Sequence, residues 1–151
     1  MKVVLSKYAG FCTGVKRAVD TALNLPLLED KKTYVYGDII HNESVLQKIK
    51  NRGIETIYSL DNVKNNDRVI IRSHGVGNDV ISRLLNVGAE IIDLTCPYVK
   101  KTQNIVQKHY EKEYQIVIIG KASHPEVVGI NGWCNNSAII IEDEVLQEQG
   151  R

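Results

Sequence analysis

The sequence predicts an α/β fold built of repeated small lobes, with mostly parallel sheets flanked by helices and a second lobe left incomplete. Two observations carry this. Short apolar runs rich in β-branched residues recur along the chain, nearly continuous in hydrophobicity, as suits strands buried on both faces. Between most of these runs apolar residues return at helical spacing, and that alternation favours parallel strands joined by crossover helices.

The expected strands are Lys2–Ser6, Tyr34–Ile40, Arg68–Arg72, Glu90–Leu94, Gln115–Gly120 and Ser137–Glu142, with a weaker candidate at Glu55–Tyr58. The first helix is expected over Gly14–Leu25, where Val15, Ala18, Val19 and Ala22 share a face. Asn42–Asn51 gathers Val45, Leu46 and Ile49. Asn78–Val87 gathers Val80, Ile81, Leu84 and Leu85, and Gly88 supplies a C-cap. Pro97–Glu111 begins with proline at a first helical position and carries Val99, Thr102, Ile105 and Val106. Asp143–Gln149 reads as the start of one more helix. A lobe boundary is expected near Thr95–Pro97, giving a first lobe over residues 1–95 and the beginning of a second over 96–151, with a third lobe absent. The second lobe holds only two good strands, and such an unfinished sheet would expose an edge. This suggests that further chain completes it.

The 151 residues are 43% hydrophobic and 25% charged, which suits one ordinary domain or two small lobes. Lys and Arg total 19 against 18 Asp and Glu. A net charge of +1 gives no reason to expect a nucleic-acid surface. No signal peptide is visible, and the apolar runs are too short to span a membrane. Three cysteines, at positions 12, 96 and 134, are poor material for a secreted disulfide framework. A cytoplasmic protein is expected.

The residues able to do chemistry follow the strands. Cys12 lies between glycines in Gly10-Phe11-Cys12-Thr13-Gly14, just before a helix. His41 follows the Tyr34–Ile40 strand, and His74 follows Arg68–Arg72. Cys96 follows Glu90–Leu94 and precedes Pro97. His124 and Glu126 follow Gln115–Gly120. In a parallel sheet these strand ends share one edge, where ligands usually bind. A thiolate near a helix N-terminus is stabilised there, so Cys12 and Cys96 could be soft ligands of an iron–sulfur cluster or of zinc. Either could also be a small buried hydrophobe. Cys134, ahead of the last strand, reads as a packed thiol. The three imidazoles suit an anion pocket, helped by helix N-termini, though three histidines could also hold zinc. His109, mid-helix, reads as solvent-facing. Beside a bound anion a carboxyl tends to keep its proton, which makes Glu126 a candidate acid; it could equally be a carboxylate favoured by the helix dipole. Lys16 and Arg17 could add positive potential or simply be solvated, and Arg72 is a plausible local anion contact.

The stretches Gly10–Val19, His41–Val45, Arg72–Val76, Asp93–Pro97 and His124–Gly129 closely resemble the 4-hydroxy-3-methylbut-2-enyl diphosphate reductases, in collinear order along the whole chain. The resemblance implies three similar α/β lobes around a central cavity. It implies a [4Fe–4S] cluster held by one cysteine from each lobe, with Cys12 and Cys96 the first two ligands and the third ligand missing from this chain. Cys134 does not stand in the third cysteine's motif. His41, His74 and His124 correspond to the diphosphate-binding histidines and Glu126 to the proton-delivering glutamate. The implied reaction is reductive dehydroxylation of a small allylic diphosphate to isopentenyl and dimethylallyl diphosphate, with electrons from a ferredoxin or flavodoxin-like donor and without nucleic acid or membrane. Where the family commonly carries a histidine, this chain has Gln103. The fragment alone is expected to be inactive. The alternatives are a diphosphate-binding module without redox chemistry, such as a decayed gene product, or a zinc-dependent hydrolase.

Overall fold

The computed structural model describes residues 2–7, 9–40 and 42–142. The expected Asp143–Gln149 helix and His41 lie outside the described residues. The elements in chain order are α1 (Thr13–Asn24), β1 (Thr33–Tyr36), α2 (Glu43–Asn51), β2 (Glu55–Ile57), β3 (Arg68–Ile71), α3 (Asn78–Val87), β4 (Glu90–Asp93), α4 (Pro97–Tyr110), β5 (Val117–Ile119), α5 (Pro125–Asn131), a 3-10 turn (Gly132–Cys134) and β6 (Ile139–Ile141). The architecture is α/β, as expected.

Strands β2, β1, β3 and β4 form one parallel sheet in that order. The alternation of side chains along a strand splits β3 between two cores. Ile70 joins Ala18, Ala22, Val35, Ile49 and Ile54 on the face covered by α1 and α2. Val69 and Ile71 join Tyr34, Val76 and Leu84 on the face covered by α3. Both faces are therefore buried, which is why β1 and β3 read as continuous apolar runs. At the N-terminal edge of this sheet Arg68 Nε donates to Glu90 Oε1 at 3.0 Å, and Lys31 Nζ lies 3.0 Å from Glu90 Oε2. Hydrogen bonds from Lys31 and then Arg68 hold the Glu90 carboxyl below the usual range.

Strands β5 and β6 form a separate two-stranded parallel sheet. Its small core joins Val106 of α4, Ile130 of α5 and Cys134. The two units meet where Gly132 faces Gly77: a Cβ on Gly132 would fall 2.5 Å from the Gly77 Cα.

Three expectations are corrected. Residues 2–6 form no strand, and Val3, Val4 and Leu5 are 75–83% exposed. β-propensity reports how well a side chain fits a half-buried pleated surface, and no described strand lies alongside this segment to provide one. The Tyr34–Ile40 run pairs only to Tyr36 before the chain turns at Gly37, whose φ is +70°. A Cβ there would fall 2.8 Å from Arg72 Cζ, so glycine ends the strand and lets the guanidinium lie against the backbone. Leu85 is exposed; Leu84 alone of the α3 residues is fully buried. Gly88 and Pro97 behave as expected. Gly88 caps α3 in the left-handed conformation, its N–H reaching the Leu84 and Leu85 carbonyls, and Pro97 opens α4.

Candidate functional site

The reactive residues stand at helix starts. Cys12 is the N-cap of α1, Cys96 the N-cap of α4 and His124 the N-cap of α5. Neither cysteine caps its helix through its side chain, so both thiols are left for other partners while the positive ends of α1 and α4 lie beside them. Cys12 is exposed and Cys96 half-buried.

The two cysteine loops approach closely. Cys96 Sγ would lie 3.0 Å from a Cβ on Gly14, so the first turn of α1, two residues beyond Cys12, packs directly on the second thiol. Glycine at position 14 makes this approach possible. Arg17 strengthens the junction: its NH2 donates to the Thr95 carbonyl at 2.7 Å. Lys16 instead forms an exposed 4.0 Å pair with Asp20 within its own helix.

The Cys96 loop is also tied to the His74 loop. The Cys96 N–H donates to the Ser73 carbonyl at 2.8 Å, and the Gly75 N–H closes a turn on the Arg72 carbonyl at 3.0 Å. Asp93 braces the loop from below, accepting from the Thr95 N–H at 2.9 Å, from the Thr95 hydroxyl, and from Lys100 Nζ at 3.0 Å. Burial raises the Asp93 carboxyl, but the Thr95 and Lys100 hydrogen bonds outweigh it and hold the group below its ordinary value.

The His74 and His124 rings meet edge to face, with centroids 6.0 Å apart. The Glu126 N–H donates to His124 Nδ1 at 3.2 Å. That bond needs the Nδ1 lone pair, so in the neutral ring the proton sits on Nε2, free to be donated to an anion. Glu126 stands in the first turn of α5, half-buried.

Arg72 closes the neighbouring cleft, of about 490 Å³, together with Tyr36, Tyr58, Ser123, Pro125 and Val128. Its NH1 donates to the Asp38 carbonyl at 3.3 Å, and Nε is buried without a hydrogen-bond partner among the described residues. Desolvation lowers its basicity, opposed by the Asp38 charge. Tyr58 donates to Asp38 Oδ1 at 2.5 Å, and that bond pushes the phenol above its usual value.

Cys134 is fully buried, its thiol donating to the Asn131 carbonyl at 3.2 Å, and belongs to the core of the second unit. His109 is exposed on α4. Among the described residues no group of three or more His, Cys, Asp or Glu side chains is placed to hold a metal ion, so Cys12 and Cys96 alone could supply only part of a donor set. Two thiols at adjoining helix N-termini fit one side of an iron–sulfur cluster. Ser73 and Thr95, and the contact of Arg17 with the Thr95 carbonyl, are the contributions that sequence reasoning missed. Their only signal was that they lie inside the stretches carrying the cysteines and histidines.

The loops leading into α1, α3, α4 and α5 bring thiols and imidazoles together from two sheets rather than along the one sheet edge expected, an α/β arrangement that suits a polar ligand. Residues 3–150 match the LytB protein family, and the chain belongs to that family. It is 46% identical over 144 residues to a 4-hydroxy-3-methylbut-2-enyl diphosphate reductase of Thermoanaerobacter sp. (strain X514), covering 93% of this chain and 50% of that protein. It is 49% identical over 141 residues to the Clostridium acetobutylicum protein of the same name, covering 92% of this chain and 22% of that one. A solved structure of (E)-4-hydroxy-3-methyl-but-2-enyl diphosphate reductase, the terminal enzyme of the non-mevalonate pathway, superposes with a TM-score of 0.79 at 37% identity, covering 95% of this chain and 52% of that one. The Plasmodium falciparum reductase gives 0.81 at 31%, covering 91% and 43%. The chain thus spans about half the length of the first of these relatives.

Proposed function

We propose that this chain contributes the first two cysteines and the histidine grip of a reductase that removes the hydroxyl group of 4-hydroxy-3-methylbut-2-enyl diphosphate, yielding isopentenyl and dimethylallyl diphosphate. The observation that carries the reading is the packing of the Cys96 thiol on the first turn of α1, beside Cys12, in a loop hydrogen-bonded to the one bearing His74. The loops bearing Cys96 and His74 are thereby tied together beside the start of α1.

Cys12 and Cys96 would hold a [4Fe–4S] cluster, with a further ligand supplied by the part of the relatives' length that this chain does not span. When bound, the cluster supplies low-potential electrons, delivered by a ferredoxin or flavodoxin-like donor, and a Lewis-acidic iron. The chain's own residues bind and orient. His124 donates through Nε2, and His74 and His41 add further donors around the diphosphate. Glu126, two residues beyond His124 in the first turn of α5, would hold the proton that lets the hydroxyl depart as water. A small soluble substrate suits a cytoplasmic setting, and no helix among the described residues is long and apolar enough to cross a membrane.

Anaerobic reconstitution with iron and sulfide tests the reading. The chain alone is expected to hold well under four irons and to be inactive. Supplying the remaining half as a fused segment should bring a stable absorption band near 400 nm, which Cys12→Ser or Cys96→Ser abolishes. A band indifferent to both substitutions would overturn the assignment. Diphosphate binding through the imidazoles with no response to iron or to either cysteine would favour a binding module without redox chemistry.

A further inference from the structure

We propose that Gln103 is a positioning residue that sets the His74 imidazole relative to His124 and Cys96; this rests on reading those imidazoles as the anion grip. Gln103 is 1% exposed, in the middle of α4. It stands two helical turns beyond Cys96, on the same face. An amide buried this deeply is retained for its hydrogen bond, since burying it unpaired is costly.

Its partner is informative. Gln103 Nε2 donates to the Val76 carbonyl at 3.3 Å, and Trp133 Nε1 donates to the same oxygen at 2.9 Å. Both acceptor directions of that carbonyl are thus filled from outside the first sheet. Gly75, at φ +70°, brings the loop backbone down onto α4: a Cβ there would fall 2.5 Å from Gln103 Nε2 and 2.9 Å from Thr95 Cγ2. At the other end of the same loop Ser73 accepts from the Cys96 N–H. The four residues Ser73–Val76 are therefore tied to α4 at both ends, by Cys96 and by Gln103, with His74 between the ties.

The consequence is a coupling of the two ligand types. The helix that presents the Cys96 thiol also sets where the His74 ring can point. Removing the Gln103 bond leaves Trp133 on Val76, so the fold survives while the loop gains freedom. Small displacements of a positioning group carry a large penalty in function.

The test uses the whole chain with histidine rings labelled for NMR; four histidines keep the spectrum simple. In Gln103→Leu the His74 ring resonances should move and the ring-to-ring contact with His124 should weaken. Gln103→His, which keeps an N–H donor, should restore both. The dissociation constant for inorganic diphosphate should rise about tenfold in Gln103→Leu and stay within about twofold in Gln103→His. Unchanged His74 resonances and an unchanged His124 contact in Gln103→Leu would overturn the proposal, as would failure of a folded Gln103→His to restore them. If Gln103→Leu does not fold, Gln103→Met, closer in shape and likewise without a donor, is read the same way. Absence of diphosphate binding in the unsubstituted chain counts against the anion reading; the ring contact still decides the positioning role.

Discussion

The two sheets of this chain are spelled with the same letters and buried very differently. Strand β3 (Arg68–Ile71) and strand β5 (Val117–Ile119) are both runs of Val and Ile. Every β3 residue is buried, because helices cover both faces of its sheet, whereas Ile119 is 83% exposed and Val117 and Ile139 are about half exposed. An apolar run therefore states a demand for cover, and neighbouring elements decide whether it is met. The first unit meets it twice over, while among the described residues the second meets it on one face, through α4, α5 and the 3-10 turn.

The comparison can be broken most directly by truncation. Ile70→Ala should cost about 2–5 kcal/mol, the range for a fully buried aliphatic side chain. Ile119→Ala should fall within about 0.5 kcal/mol of the unsubstituted chain. Urea denaturation reads both, and similar costs would show the exposed face to be covered in solution. Thiol labelling sharpens the contrast. Cys12 should react at once and Cys96 more slowly, while fully buried Cys134 should react only as its unit opens. The second unit has the smaller core, so Cys134 should label at a urea concentration below that at which the first sheet unfolds. Simultaneous release would mean that the two units unfold as one.

The smallest effect concerns pH. The Asp93 carboxyl titrates below its unfolded value of about 3.9. Its contribution to stability is therefore complete above that value and lost as pH falls through the lower folded one. Asp93→Asn should flatten the acid limb of the stability curve in that window and slightly lower stability at neutral pH, where the carboxylate's contribution is complete, the two curves converging in acid. An acid limb that keeps its slope would assign the acid sensitivity to other carboxylates.

Much of the first unit was legible because its signals are local. Gly88 announces the end of α3 and Pro97 the start of α4 by their own backbone restrictions. That Cys96 and His74 follow neighbouring strands β4 and β3 was legible from strand-then-helix order, but the single edge expected was not found: among the described residues no strand precedes Cys12, and His124 follows a strand of the second sheet. Other features were not local. Residues 2–6 have the composition of a strand without a described neighbour to pair with. Helix α5 is not among the helices the periodicity predicts, because its seven residues are too few for a periodic pattern; only the helix-dipole alternative for Glu126 hinted at it. Gln103 looks like any polar residue on a helix until the Val76 carbonyl is brought against it. The guanidinium of Arg17 is placed by a carbonyl far away in sequence, which no spacing rule could reveal.

The meeting of Gly77 with Gly132 has a mechanical meaning. With no side chains between them, the two backbones approach so closely that a Cβ on either glycine would fall within 3.0 Å of the other's Cα, and neither can yield by changing a rotamer. That contact is a fulcrum. A methyl group introduced at either glycine would act as a wedge, and its displacement would be levered along α3 and the 3-10 turn into the angle between the units. The reach from the His74 imidazole to that of His124 is thus gauged at a point where neither histidine is present.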